Sequence, residues 1–411
     1  MNEVYSSVIT FSLSVATVLW FLYIGIKNKS RKESAADFFI FGHSLKRSGF
    51  FRSYAAASTS LGTVIFFFVI LGFNHGVYIL FSPITLLIGV FLFNKLFLPK
   101  VPEYFFDKNH PHFMGTLGEF IKERYKSRIV SLMVMAISLC GLLAILIIEL
   151  FVGVSIFSIF DMEPLDSIAL VLIAFVVWIY TSLGGMRSVV ITDRIQLWVL
   201  ILPVTILFLF LVFELGGYRA FSMENLFPND PIFEGGFLLP WPMLANILVV
   251  NVLLTPSLLR TWQMTASTSS RSDVSGGMMR GAVLTVCLTA LFVGLGLTFF
   301  KGVFVGTEPS LHNLLETLLT APSPFLSMVL LPCFFVSCLA AIFSTVDSAL
   351  LPIVHSLWVE VRTRKGVEPK RMPLEPATDA PLISAGILGF ALLLYFVIFR
   401  LLGFDLISWM F

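Results

Sequence analysis

The sequence predicts an all-α polytopic membrane protein: an inverted five-plus-five helix repeat, preceded by one extra N-terminal helix and with an incomplete last core helix. Three observations carry this prediction. Hydrophobic residues make up 57% of the 411-residue chain and charged residues 13%, with a mean hydropathy of +0.93, values foreign to a soluble globular domain of this length. Apolar runs of about 20 residues, the length a helix needs to cross a bilayer, recur along the chain. Two of these runs, the second and the seventh, are interrupted at about the same relative depth. They lie an odd number of spans apart, so they run in opposite directions, as corresponding helices of an inverted repeat do. The chain divides into an extra helix and loop (1–48), a first repeat (49–215) and a second, incomplete repeat (216–411).

The first apolar run is Ser7 to Lys27. No Lys or Arg precedes it and basic residues follow it directly, so it reads as an uncleaved helix with its N-terminus outside. Further runs fall at about 50–72, 77–98, 129–160, 166–182, 193–215, 241–260, 280–300, 325–358 and 381–402, each near the length of one crossing. Basic residues support this count. The loops at 27–52, 95–128, 187–194, 260–280 and 362–371 hold 24 of the 27 Lys and Arg, leaving only Arg219, Lys301 and Arg400 on the opposite side. That bias marks those loops as cytoplasmic in a plasma membrane protein. The opposite connections are acidic, with Asp161, Glu163 and Asp166, then Glu224, Asp230 and Glu234. The net charge of +2 carries no sign of a nucleic-acid partner, and the expected surroundings are lipid. Four cysteines lie inside apolar runs without metal-ligand spacing and read as packing residues, not disulfides.

The interruptions are specific. The second run contains Tyr54-Ala-Ala-Ala-Ser-Thr-Ser-Leu-Gly62, small and polar residues where backbone can unwind in mid-membrane. The seventh contains Asn246, Asn251 and Thr255-Pro256-Ser257, in which Pro256 removes a helix donor. Broken helices at corresponding places in two inverted halves are the best sequence pointer to a transporter site near the midplane. The ninth run carries Leu339-Ala-Ala-Ile-Phe-Ser-Thr-Val-Asp-Ser-Ala-Leu-Leu351. In a helix, Ala341, Ser344, Thr345 and Asp347 or Ser348 share a face. Small residues there let another backbone approach, and hydroxyls complete the oxygen shell of a hard cation such as Na⁺. The same pattern also suits hydroxyls that bond back to their own helix or join two helices.

Five stretches in order resemble the sodium/solute symporters, the family of the sodium/proline, sodium/pantothenate and sodium/glucose cotransporters. They are Asp37-Phe-Phe-Ile-Phe-Gly-His-Ser-Leu45, Thr116-Leu-Gly-Glu-Phe-Ile-Lys-Glu-Arg-Tyr125, Tyr180-Thr-Ser-Leu-Gly-Gly-Met-Arg-Ser-Val-Val-Ile-Thr-Asp-Arg-Ile-Gln196, Trp262-Gln263 with Arg280-Gly281, and Ala340 to Leu351. The resemblance implies that Na⁺ is held between the broken first core helix and the eighth by carbonyls and hydroxyls. Residue by residue, Ala57, Ser60 and Ala341 would offer carbonyls, and Ser344 and Thr345 their hydroxyls.

Intramembrane acids are functional candidates by default. Asp193 matches the family's Thr-Asp, where the resemblance puts it on the ion's inward route; the alternative is a carboxylate stabilised at a helix N-terminus. Asp347 lies one turn beyond Ser344, where it could attract a leaving cation. Glu149 stands deep in the fourth span at a place where a neutral, solute-binding residue is expected. It is open to three roles: meeting a cationic solute group, carrying a coupling proton, or pairing with a nearby hydroxyl. By analogy the solute pocket lies beside the ion, with Ser58, Thr59, Glu149, Asn251, Thr255 and Ser257 as candidates.

Nothing in the sequence points to an enzyme: no nucleotide loop and no His-based metal motif is present. The expected function is Na⁺-coupled symport of a small organic solute by alternating access. The rival expectation is a transport-incompetent input module of a signalling protein. Gly403 to Phe411 reads as the start of the tenth core helix. Three explanations are open for this shortened end: a fragment, the membrane part of a longer chain, or a protein whose missing helices come from a partner chain.

Overall fold

The computed structural model describes residues 2–28, 34–106, 114–160, 165–228, 241–367 and 372–401. The expected tenth core helix at 403–411 and the acids Asp161, Glu163, Asp230 and Glu234 lie outside the described residues. Almost all of the described chain is helical, and its one β feature is an isolated bridge between Leu45 and Thr268.

In chain order the helices are α1 (Asn2–Lys27), α2 (Ala35–Ile40), α3 (Arg47–Ala57), α4 (Phe67–His75), α5 (Phe81–Leu92), α6 (Leu117–Tyr125), α7 (Arg128–Ser155) and α8 (Leu165–Phe213). There follow α9 (Met223–Leu226), α10 (Trp241–Ser257), α11 (Leu259–Ala266), α12 (Arg271–Gly296), α13 (Leu311–Thr320), α14 (Leu331–Arg364) and α15 (Ala380–Tyr395). Among the described residues seven helical runs are long and apolar enough to cross a membrane, or up to eight if the bent pair α10 and α11 is one span.

Two of those runs, 40 and 46 residues long, are about twice the length of one crossing. Each is broken at a glycine of positive φ, Gly76 or Gly185. At Gly185 the chain doubles back: the Ser188 hydroxyl lies 3.3 Å from the Tyr180 carbonyl, whereas eight residues of continuous helix would separate them by about 12 Å. A Cβ on Gly185 would also fall 2.3 Å from the Phe38 carbonyl oxygen. The turn therefore needs glycine twice over, for its φ and for the approach of α2. With both breaks counted, each apolar segment expected from the sequence appears as helix.

The core is α14, whose residues from Leu331 to Val359 are almost all buried. The extra helix α1 lies against it and against α8. One stripe of α1, formed by Ser6, Thr10, Ser14 and Thr17, is buried. Thr10, Ser14 and Thr17 each donate to the carbonyl four residues back, at 2.7–2.8 Å, and Ser6 donates to the Ser327 carbonyl. Small side chains bring the helices together while every stripe hydroxyl is satisfied, which an apolar medium demands. Nearby, Phe21 meets Phe343 edge-on at 5.8 Å.

The contact between α4 and α12 is reciprocal. Gly72 faces the backbone of Val293, and Gly296 faces the backbone of Val69. Each helix presents a glycine to the other, so the two backbones touch.

Several family-like stretches build a packed layer. Thr116 and Glu119 form a capping box at the start of α6, a local S/T-x-x-E signature. Burial pushes the Glu119 carboxyl above its ordinary value, against the pull of its backbone donors. Ser131 then ties α7 to α6 through the Gly118 carbonyl at 2.6 Å. Trp262 packs on Phe120, tilted by 32°, with ring centres 4.3 Å apart, and Gln263 donates to the Phe39 carbonyl at 2.9 Å. His355 stacks on Phe39 at 4.9 Å.

All four cysteines are free thiols. Cys338 is buried and Cys333 half-buried, so the packing role expected for all four holds for Cys338 and in part for Cys333, whereas Cys140 and Cys287 are exposed. The latter two lie on faces of α7 and α12 that are open to the surroundings.

Candidate functional site

Both interrupted spans are broken. Helix α3 stops at Ala57, and Ser60 has extended backbone (φ −69°, ψ 147°) before a π-turn at Leu61–Phe66 leads into α4. Helix α10 runs through Pro256 to Ser257; the break falls at Leu258 (φ −76°, ψ 122°), and α11 leaves at 42°. The Trp262 indole fastens the bend by donating to the Pro256 carbonyl at 2.8 Å.

The two breaks meet at a cavity of about 270 Å³. Ala57, Ser58 and Ser60 line it from the first break, Thr255 and Leu258 from the second, Thr345 and Ser348 from α14, and Thr285 and Thr289 from α12. Phe67, Leu142 and Ile145 supply apolar wall.

The break in the first span begins a new helical segment whose leading N–H groups need acceptors. Glu149 of α7 supplies them. Its carboxylate accepts from Leu61 N at 3.2 Å, from Gly62 N at 3.1 Å and from the Ser60 hydroxyl. Of the three roles open to Glu149 in the sequence, this is the pairing role extended to backbone. It does not line the cavity, so the structure corrects its expected place among the solute contacts. An acceptor that fits two helix N–H groups is engaged behind the wall.

On the other side of α3, the buried Asp193 of α8 accepts from the Ser53 hydroxyl and, at 2.6 Å, from the Ser344 hydroxyl of α14. It stands eight residues past the Gly185 turn, beyond the first turn in which the helix dipole acts, which removes the helix-terminus reading. Asp347 accepts from the Tyr180 hydroxyl at 2.6 Å and from Ser348 at 3.2 Å. Thus α3, α8 and α14 are joined through two buried carboxylates.

The proposed ion ligands divide. Ala57, Ser60 and Thr345 reach the cavity, whereas Ala341 and Ser344 are buried in α14 beside it. The Thr345 hydroxyl is buried with no hydrogen-bond partner among the described residues, which an interior hydroxyl rarely tolerates. The Ser60 carbonyl accepts from Ile65 N at 3.0 Å, and the Ala57 carbonyl accepts from Arg260; a carbonyl has a second lone pair for another partner. Neutral carbonyl and hydroxyl oxygens with carboxylates behind them are a donor set suited to a hard cation.

The solute candidates divide too. Ser58, Asn251 and Thr255 line the cavity. Asn251 also binds α5, donating to Thr85 Oγ1 at 2.8 Å and to the Ser82 carbonyl at 2.9 Å. Thr59 and Ser257 do not line the cavity: each hydroxyl bonds back to its own helix, Thr59 to the Ala55 carbonyl and Ser257 to that of Leu253.

The residue that sequence reasoning missed is Arg260, assigned there to a cytoplasmic loop. It lines the cavity, donates to the Ala57 carbonyl and to Ser58 Oγ (3.2 Å), and lies over the Tyr54 ring at 5.9 Å.

Comparison with known proteins agrees with this architecture. The chain superposes on a Na⁺-coupled sialic acid symporter, solved in a substrate-bound outward-open state, with a TM-score of 0.73 and 16% identity over 94% of this chain and 82% of that one. It is 27% identical over 187 residues to a sodium/pantothenate symporter of Haemophilus influenzae, an alignment covering 44% of this chain and 37% of the relative. The family model described as the sodium:solute symporter family matches residues 38–366. That match takes in both broken spans, Asp193 and α14, and the chain belongs to the sodium:solute symporter family, a family of transporters rather than enzymes.

Proposed function

We propose that this integral membrane protein couples entry of a small organic solute to Na⁺ by alternating access. The supporting observation is the shared cavity: two helix breaks and α14 meet there, with the unpartnered Thr345 hydroxyl on its wall. Na⁺ bound by Ala57, Ser60, Ala341, Ser344 and Thr345 would tie the first break to α14. Solute contacts come from Ser58, Asn251 and Thr255, and Asp193 and Asp347 flank the ion's exit. Coupling requires that Na⁺ and solute together favour one conformation over the other. The distribution of Lys and Arg supports a plasma membrane location with the N-terminus outside.

Uptake of a panel of small organic solutes into proteoliposomes, with and without an inward Na⁺ gradient, tests the proposal. Accumulation should require the gradient and fall at least tenfold in Ser344→Ala/Thr345→Ala. Na⁺-stimulated binding without accumulation would instead describe a receptor.

A further inference from the structure

We infer that Arg260 is the anion-recognition group of the cavity and that the solute is a small organic carboxylate, a reading that rests on the symport function proposed above. Among the described residues that line the cavity, Arg260 is the one charged side chain. Among the described residues no carboxylate lines the cavity to receive a cationic solute: Glu149 is engaged by Leu61, Gly62 and Ser60, Asp193 by Ser53 and Ser344, and Asp347 by Tyr180 and Ser348.

The guanidinium is under-used where it stands. Two of its nitrogens donate to neutral acceptors, the Ala57 carbonyl and Ser58 Oγ. Among the described residues its Nε is buried without a hydrogen-bond partner, and Arg260 forms no salt bridge. Asp193 and Asp347 act on it through space without bonding it, so a desolvated cation in that condition is compensated in part until an anion meets it directly. Its planar fork matches a carboxylate, with two parallel N–H donors for two oxygens.

A half-helix N-terminus also attracts negative groups. At the first break Glu149 already occupies that seat. At the second break the start of α11 has no side-chain cap and carries Arg260 itself, so an incoming anion is drawn to this side of the cavity. A carboxylate that enters with one Na⁺ also adds no net charge to a site where unbalanced charge is expensive. Size sets a bound: about 270 Å³ lies just under the roughly 300–1,000 Å³ typical of small-molecule sites. Phe67, Leu142 and Ile145 suit a short apolar tail.

The test uses the purified full chain and thermal-shift titrations with three- to six-carbon monocarboxylates, each paired with its primary amide, in Na⁺ and in choline at equal ionic strength. In Na⁺ a carboxylate should bind roughly tenfold or more tightly than its amide, the range of one charged hydrogen-bonding partner. Arg260→Gln should abolish that preference, and Arg260→Lys should keep part of it because charge remains while the fork is lost. If Arg260→Gln does not fold, the carboxylate-against-amide comparison in the wild type decides alone. Amides binding as well as carboxylates, a preference that survives Arg260→Gln, or silence of both series in a protein that still responds to Na⁺ would each overturn this inference and leave symport standing. Silence of both series in a protein that is also blind to Na⁺ contradicts symport as well.

Discussion

Glu149→Ala is expected to destabilise the protein by about 2–6 kcal/mol, because it leaves the buried Leu61 and Gly62 N–H groups without acceptors at roughly 1–3 kcal/mol each. The Ser60 hydroxyl loses less, since Thr63 Oγ1 stands 2.7 Å away as an alternative partner. Glu149→Gln keeps one acceptor oxygen and turns an amide N–H₂ toward the helix donors, so about half the loss is expected. Function should fall with stability, because the segment that Glu149 secures carries Ser60 and Thr63 to the cavity. Unfolding midpoints of purified variants, followed by intrinsic fluorescence, check the order wild type, Gln, Ala. A Glu149→Ala protein as stable as wild type would mean that the carboxylate does not hold the break.

Gly296→Ala should destabilise by about 3 kcal/mol, the upper part of the usual range for overpacking. The added Cβ would lie 1.9 Å from the Val69 carbonyl oxygen and 2.8 Å from its carbon. Backbone cannot swing aside as a side chain can, so α4 and α12 must separate. Both helices border the site: the π-turn joined to α4 and residues Thr285 and Thr289 of α12 line the cavity, so separation enlarges it and weakens solute binding. Gly141→Ala is the matched control. A Cβ there meets nothing within 4 Å, and alanine's helix propensity, better by up to about 1 kcal/mol, makes it neutral or mildly stabilising. Equal midpoint shifts in the two variants would refute the close crossing.

What the sequence makes legible is what the bilayer enforces. The spans follow from run length, and the two breaks from small, polar and proline residues at mid-depth. The Gly184-Gly185 turn is legible as part of a family-like stretch, and its physical reason is the positive φ of Gly185 and the approach of Phe38. Arg260 was hidden because a basic residue at the end of an apolar run is also the normal mark of a loop. Only the bend at Leu258 returns it to Ala57. Glu149 was conspicuous as an acid in lipid, but its partners are backbone groups nearly ninety residues away, and no periodicity encodes such a pairing. Thr59 and Ser257 show the opposite failure. Their hydroxyls sit beside the breaks in sequence, yet helix geometry turns them back onto their own carbonyls. The capping box of Thr116 and Glu119 was readable from spacing alone, and it explains that stretch as structure rather than recognition.

Direct titration of Na⁺ against choline, at constant ionic strength and without solute, tests the ion site most closely, with the unfolding midpoints of wild type and Thr345→Ala as the readout. Wild type should gain stability as Na⁺ rises, following the logarithm of one plus the ratio of ion concentration to dissociation constant. Thr345→Ala, which removes a buried hydroxyl that has no hydrogen-bond partner among the described residues, should require at least tenfold more Na⁺ for the same shift. Superimposable Na⁺ and choline curves in the wild type would contradict a cation site between the first break and α14.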